Sequence, residues 1–517
     1  MYKIKNSNIY EFIFYIFVIV FALKQFSIAF EGDGWRFVTP FMNMDSGTFD
    51  YWSWIFTHED TQSKQFIPIS WFVYPFFVRM IFGGSEFGFN FVTYLMIIAS
   101  TLLLYRFVFI QFHSKLAAFI ATTTFLLHDS LWGITNEISD QSKYLLPLIA
   151  LLLSLHLIQK SNLRDLKSFS LLLFLQIFAI LSHEASISFF PILWAYYIYQ
   201  YKSFNRFLIL QIIPPIISVY LRVFIFKFKT SNVGVLQLKI DGFFDMAIYH
   251  FQQFFSHILL SETLLTFIFT SIVIISVLYL IWKNSKETLL MLVLCMILGG
   301  IIISPFFLAK SHFFPDRNMW SLVVFVFFLG WLFSRFNLSQ TYKRVSLILF
   351  SLLFMLSASF NIKNLSKINF HYPPITAQDD LQYQIEQTGE YDVYYIDTEP
   401  VGRAWILDSI LPGILANRFP DKVFHLSNKE SSSTDYYFEV IVYKGSYYKS
   451  YWKRLDYEQN KIHNNFQFNN QDFSTKYSAY FFDPWGRRAH FSIKNPKSSI
   501  RLKVDLKIFK LLYPIGG

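Results

Sequence analysis

Cysteine is nearly missing from this chain. The one thiol in 517 residues, Cys295, lies inside an apolar run, so no intrachain disulfide can form and any exported part holds together by core packing alone. Charge is scarce as well. Asp, Glu, Lys and Arg make up 15% of the chain, against about 25% in soluble globular proteins. Hydrophobic residues reach 54% and aromatic residues 21%, with a mean hydropathy of +0.36. This balance excludes a soluble globular class and indicates an integral membrane protein. The formal charge of +10 sits mostly in short links between apolar runs, as orientation signals do, so nucleic acid is not an expected partner. Several motifs are absent too: no Walker loop, no G-x-G-x-x-G, no H-E-x-x-H and no thiol site. Soluble nucleotide chemistry therefore has no support. No internal repeat is present.

What the chain has in place of charge is long apolar runs. Runs of the length a spanning helix needs lie near 9–30, 87–109, 115–132, 143–159, 167–183, 185–200, 205–227, 263–282, 288–308, 318–334 and 343–360. They predict about eleven crossings. The first follows Lys3 and Lys5 and ends Ser27-Ile28-Ala29, which loosely fits a cleaved signal; its length and the later runs favour an uncleaved first helix. Alternate links carry Arg106 and Lys115, then Lys160, Arg164 and Lys167, Lys202 and Arg206, Lys283 and Lys286, and Arg335, Lys343 and Arg344, against only Asp165 and Glu287. By the positive-inside rule the N-terminus is cytoplasmic, and an odd number of crossings puts the C-terminal tail outside. Localisation in an inner (plasma) membrane, multi-pass, follows.

The membrane domain is expected over 1–360. Its outer loop, 31–86, carries two apolar segments, Phe41 to Thr57 and Phe66 to Phe82, that read as helices lying in the interface, the second broken by Pro68, Pro75 and Arg79. If 66–82 crossed the membrane, the later basic links would fall on the wrong side. From 361 the composition turns polar, with Pro373-Pro374 as punctuation. Strands are predicted at Tyr391 to Ile396, Val423 to Leu426 and Phe438 to Tyr443, and a helix over Arg403 to Asn417. The fold class is thus a polytopic α-helical membrane protein with an extracytoplasmic C-terminal α/β domain over 361–517.

Acids gather in the outer links. Glu31-Gly32-Asp33 directly follows the first apolar run, with Asp45, Asp50, Glu59 and Asp60 behind it. A carboxylate at the membrane surface suits removal of a proton from an acceptor hydroxyl, and Arg36 stands where it could pair with Asp33 or hold a phosphate. His58-Glu59-Asp60, ahead of Lys64, lacks the spacing of a preformed metal site. Ser182-His183-Glu184 interrupts two apolar runs, and an acid there needs a reason. Lys310, His312, Asp316 and Arg317 precede the tenth run on the outer side, against the charge trend; Arg grips phosphate bidentately. No metal-ligand set is evident, although the carboxylates leave room for a divalent metal, and no cofactor is required by any motif.

Taken together, these residues resemble the GT-C superfamily of polytopic glycosyltransferases over about residues 10–330. The likeness rests on Glu31 and Asp33 in the first outer loop, on Gln65-Phe66-Ile67-Pro68, on Leu127-His128-Asp129 with Trp132, on Leu181-Ser182-His183-Glu184 with Pro191, and on Arg317 opening a late run. The chain departs from the family pattern by the inserted Gly32, by an absent Arg before Pro68, by an absent Pro after His128 and by His183 in place of Lys. The resemblance implies transfer of one sugar, with inversion, from a polyprenyl-phosphate donor in the membrane to an extracytoplasmic hydroxyl. Asp33 would be the base, with Glu31 as second candidate. Arg36, Lys64, His183, Glu184, Lys310 and Arg317 would bind substrate. A body of this kind with an outer C-terminal domain, including Trp485, Arg487 and Arg488, is similar to bacterial glucosyltransferases that decorate O-antigen. The expected acceptor is then a surface glycan, with a lipid or protein acceptor, or a polysaccharide flippase or polymerase, as alternatives.

Overall fold

The computed structural model describes residues 9–27, 67–82, 86–128, 130–131, 138–161, 163, 165–203, 206–220, 263–308, 319–336 and 339–368 of the helical part, and residues 385–386, 393–397, 415, 419, 421–427, 436–443, 446–453, 477–482, 488–493 and 499–503 after it. The chain divides into two compact units, Met1–Ile28 with Lys64–Ser366, and Ala29–Ser63 with Lys367–Gly517.

The first unit is helical. In chain order it holds α1 (Ile9–Ala22), a π-helical turn Ile69–Val73 running into α2 (Tyr74–Phe82), α3 (Glu86–Phe112), α4 (Lys115–Leu127), α5 (Ile138–Lys160), α6 (Leu166–Ser182), α7 (Phe189–Tyr201) and α8 (Ile213–Tyr220). Then come α9 (Thr263–Lys283), α10 (Ser285–Leu308), α11 (Met319–Ser334) and α12 (Gln340–Ile368). Among the described residues, five helices are long and apolar enough to cross a membrane: Phe87–Phe112, Gln141–Lys160, Leu264–Lys283, Ser285–Ile302 and Thr341–Ser359. The remaining expected crossings correspond to shorter apolar helices, among them Glu11–Ala22, Lys115–Leu127, Leu166–Ser182, Leu208–Ser218 and Trp320–Ser334. The first run leaves the α-helix at Leu23–Ser27, a 3-10 turn. The run near 205–227 starts as a 3-10 helix, Arg206–Ile212, and becomes α-helical where Pro214 and Pro215 fall in the first turn, the place proline tolerates.

Cross-helix contacts fix how the helices run. Thr93 on α3 bonds Gln141 on α5, and farther along the same two helices His156 Nε2 donates to the Leu103 carbonyl at 2.9 Å and Gln159 Nε2 to the Phe107 carbonyl at 3.1 Å. The two helices are therefore parallel. By the same reasoning α7 and α11 run with them: Tyr196 Oη donates to Gln111 Oε1 at 2.5 Å, Tyr201 Oη to the Ile158 carbonyl at 2.6 Å, and Trp320 Nε1 to the Tyr144 carbonyl at 3.1 Å. α1 runs the opposite way, with Glu11 3.0 Å from Lys115 and Gln25 bonded to Asn90. One end of the bundle thus gathers Lys115, Lys160, Lys202 and Arg335, where Arg335 bonds Glu287 and Asn284 Nδ2 donates to Glu287 at 2.8 Å. The other end gathers Gln25, Asn90, Thr93, Gln141, Tyr144, His183 and Trp320.

Between the ends, packing is aromatic and close. Phe14 stacks on Tyr105 at 4.5 Å and meets Phe119 edge-on. Gly330 lets α11 approach α3, since a Cβ there would lie 2.5 Å from Val108 Cγ1; small residues permit such approach where apolar surroundings give no hydrophobic drive. Hydroxyls inside the runs return their protons to their own helix: Thr101 to Ile97, Thr122 to Ala118, Thr124 to Ile120 and Ser154 to Ala150, at 2.6–2.8 Å. That leaves them cheap to bury.

The second unit contains a seven-stranded mixed sheet in the order β6-β5-β4-β3-β2-β1-β7. The strands are β1 (Val393–Asp397), β2 (Val423–Ser427), β3 (Tyr436–Tyr443), β4 (Ser446–Lys453), β5 (Tyr477–Phe482), β6 (Arg488–Ile493) and β7 (Ser499–Lys503). β1 is parallel to both β2 and β7; the other pairs are antiparallel, with β3 and β4 in register from Tyr436↔Lys453 to Tyr443↔Ser446. Phe424 on β2 is fully buried and its ring lies 5.6 Å from that of Phe419. The helix expected over 403–417 lies outside the described residues except for Leu415, as do Trp485 and Arg487.

Candidate functional site

Of the residues singled out in the sequence, His183 and Glu184 are described. Glu31, Asp33, Arg36, Lys64, Lys310 and Arg317 lie outside the described residues, as do Glu59 and Asp60.

His183 is a junction in which every backbone group has work. Helix α6 ends because His183 adopts an extended backbone, φ −155° and ψ 126°, while its amide still donates to the Ala179 carbonyl at 2.9 Å. The side chain then starts the next turn. Nδ1 accepts from the Ala185 amide at 3.1 Å, and the carbonyl accepts from the Ser186 amide at 3.0 Å and the Ser186 hydroxyl at 2.6 Å, which forms the 3-10 helix Glu184–Ser188. Such a cap satisfies amides that a helix start leaves open. Because Nδ1 accepts, the neutral ring carries its proton on Nε2 and can only donate there.

The ring is 4% exposed. It lies 5.0 Å from the Tyr144 ring and 5.1 Å, edge-on, from Trp320, which in turn meets Phe189 at 5.0 Å. Four elements thus meet around one histidine: the second turn of α5, the first turn of α11 with that of α7 behind it, and the end of α6. Proline helps to set this up. Pro147 lacks the amide that would reach back to the Lys143 carbonyl, and at the next carbonyl, Tyr144, the buried indole of Trp320 donates from α11. Glu184 is half-buried in the first turn of the 3-10 helix.

A neutral polar layer continues along α5 from this cluster. Gln141 accepts from the Thr93 hydroxyl, Ser142 donates to the Ser70 carbonyl at 3.2 Å inside the π-helical turn, and Gln25 Nε2 donates to Asn90 Oδ1 at 3.0 Å. All are buried. The π-helical turn follows Pro68 directly, where the sequence predicted an interfacial segment, and π-turns recur at functional sites. α2 buries Tyr74, Pro75 and Val78 and leaves Phe77, Met80 and Ile81 exposed.

His128 repeats the device of His183. It ends α4 in an extended conformation, is 1% exposed, and its Nδ1 accepts from the Ser130 amide at 3.1 Å. Sequence reasoning found His183 because a polar triplet breaks two apolar runs, and His128 only through the family resemblance, inside an expected run. It missed Tyr144, Gln141, Thr93 and Trp320, which look like ordinary members of apolar runs. The usable signal was Trp320 in the first turn of a span, since a buried indole N–H needs an acceptor.

Chemically, this end of the bundle offers neutral donors and acceptors, a half-buried carboxylate and stacked aromatic faces. Among the described residues no group of three or more His, Cys, Asp and Glu gathers as a metal site. No known protein family matches the chain, and no curated protein matches it.

Proposed function

We propose that the chain is a multi-pass membrane glycosyltransferase of GT-C type. It moves a single sugar, a hexose such as glucose, from a polyprenyl-phosphate donor to an extracytoplasmic acceptor, with O-antigen or another surface polysaccharide as the acceptor class. The reading includes about eleven crossings, a cytoplasmic N-terminus and an extracytoplasmic C-terminal α/β domain. What supports the topology is the gathering of Lys115, Lys160, Lys202 and Arg335 at one end of the helical unit, as the positive-inside rule requires of a cytoplasmic face.

What supports the chemistry is the opposite end. The acids Glu31 and Asp33 follow α1 in sequence a few residues after buried Gln25, and Gln25 lies at the end of the helical unit that also holds His183, Trp320 and the polar layer. In this scheme Asp33, with Glu31 as second candidate, removes the proton of the acceptor hydroxyl as that oxygen attacks the anomeric carbon. The bond from that carbon to the phosphate breaks with inversion, and Arg36, Lys64, Lys310 or Arg317 meets the charge left on the departing phosphate. His183 and Glu184 hydrogen-bond the sugar. A flippase or polymerase is the rival. It would place ionisable groups at mid-span; His156 is such a group, yet its Nε2 bonds the Leu103 backbone and ties α5 to α3.

The test is an assay of sugar transfer in membranes bearing wild type or Asp33→Asn. Loss of transfer at unchanged abundance supports the base; full turnover removes it.

A further inference from the structure

We infer that the helical unit carries a second lipid site, distinct from any donor site, which takes one acyl chain of an anionic phospholipid from the leaflet at the Lys115 end. The inference stands apart from the transferase reading and needs only that the apolar helices lie in a bilayer.

The site is a narrow crevice lined by apolar side chains and tyrosines, among them Phe107 on α3, Leu155 on α5, Ala195 and Tyr199 on α7, Cys295 on α10 and Phe327 on α11. Its volume of about 50 Å³ is well below the roughly 150 Å³ that admits benzene. Only a short length of a slender unbranched chain fits such a space, and a headgroup, a sugar or a ring does not. Its lining on α3 and α5 comes from the halves nearer Lys115, on α11 it reaches Val323 near mid-span, and Tyr199 close to the end of α7 is the wall on the Lys115 side.

A cation stands beside one wall. Tyr199 lines the crevice, and Lys202 sits with Nζ 4.6 Å from the centre of the Tyr199 ring. Lys202 ends α7 in a left-handed conformation, φ 52°, which costs a residue with a Cβ and which glycine adopts freely. A lysine held there sets an exposed ammonium over a ring that forms part of the crevice wall. Lys160 ends the neighbouring α5, also exposed. Basic groups beside a gap between spanning helices are the chemistry that holds acidic headgroups on the cytoplasmic side of membranes.

The experiment uses the full chain in phosphatidylcholine nanodiscs with a trace of phosphatidylglycerol or phosphatidylcholine bearing a diazirine at mid-chain, followed by peptide mapping. The phosphatidylglycerol probe is expected to label the crevice segments of α7 and α10 about fivefold more than the phosphatidylcholine probe, the effect of about one lysine beside an acidic lipid. Lys202→Ala should bring the two probes to parity, and Ala195→Phe should abolish labelling at Cys295 and its neighbours. Because Ala195→Phe fills a packed region, a second readout keeps wild type: alkylation of Cys295, the chain's sole thiol, should slow when phosphatidylglycerol is added. Equal labelling by both probes, labelling confined to the exposed face of α10 at Leu290 and Val293, or displacement by polyprenyl phosphate and not by phosphatidylglycerol would each overturn the site.

Discussion

At the scale of single residues, His183 and Trp320 carry the polar end of the bundle. His183→Ala removes a cap on the turn that follows α6, a loss of about 1 kcal/mol. Asn, whose side-chain oxygen can accept the same amide bond, is predicted to restore it. The measurement is the thermal midpoint in a single detergent: Ala lower and Asn near wild type is the expected order, and equal loss in both variants would show that the ring's packing dominates. Trp320→Phe keeps most of the aromatic contact and deletes the bond to the Tyr144 carbonyl, so a loss of about 0.5–1.5 kcal/mol is expected for one hydrogen bond removed. Asp165 shows the same logic on the surface. Its carboxylate accepts from the Ser168 amide at 2.7 Å and the Ser161 hydroxyl at 3.2 Å, and these bonds hold its pKa below the usual carboxylate value. A depressed pKa means that the cap stabilises α6 fully above the unfolded value, about 3.9 for Asp, and loses that contribution as pH falls through the folded value. Amide exchange at Ser168 should therefore accelerate in Asp165→Ala at neutral pH, and the variant's difference from wild type should vanish in acid.

Among the elements, α3 and α11 approach closely at Gly330. Gly330→Ala would press a Cβ to 2.5 Å from Val108 and 3.1 Å from Phe112, an overpacking cost of about 1–3 kcal/mol; Gly299→Ala meets nothing within 4 Å and serves as the control. Thermal midpoints of the two variants compare them directly, and equal stability would contradict the close packing. Long helices of this kind were legible in the sequence. The runs near 87–109, 143–159, 263–282 and 343–360 reappear as α3, α5, α9 and α12, because apolar composition over some 20 residues reports a spanning length. Backbone type was not legible. The π-turn at Ile69–Val73 and the 3-10 segments at Leu23–Ser27, Glu184–Ser188 and Arg206–Ile212 differ from α-helix only in their hydrogen-bond period, which leaves no mark on hydropathy. His183 was visible because a polar triplet interrupts two runs. Tyr144 and Thr93 were hidden, since their partners come from helices distant in sequence.

On the scale of the whole molecule, a helical unit whose basic links meet at one end is followed in the chain by a sheet in which β1, next to the edge strand β7, is parallel to β2 and β7. The proposed topology places that sheet outside the cell's inner membrane, and a reporter enzyme active only in the cytoplasm, fused after Gly517, should be silent. The central claim is sugar transfer by Asp33, and mass and linkage analysis of surface polysaccharide and glycolipid tests it most directly, in cells carrying the intact gene, its deletion or Asp33→Asn. The account predicts that one hexose-sized branch disappears in the deletion and falls by about 10²–10⁴ in rate in the variant, with variant protein at wild-type abundance in the membrane. A glycan profile unchanged in both strains would contradict it.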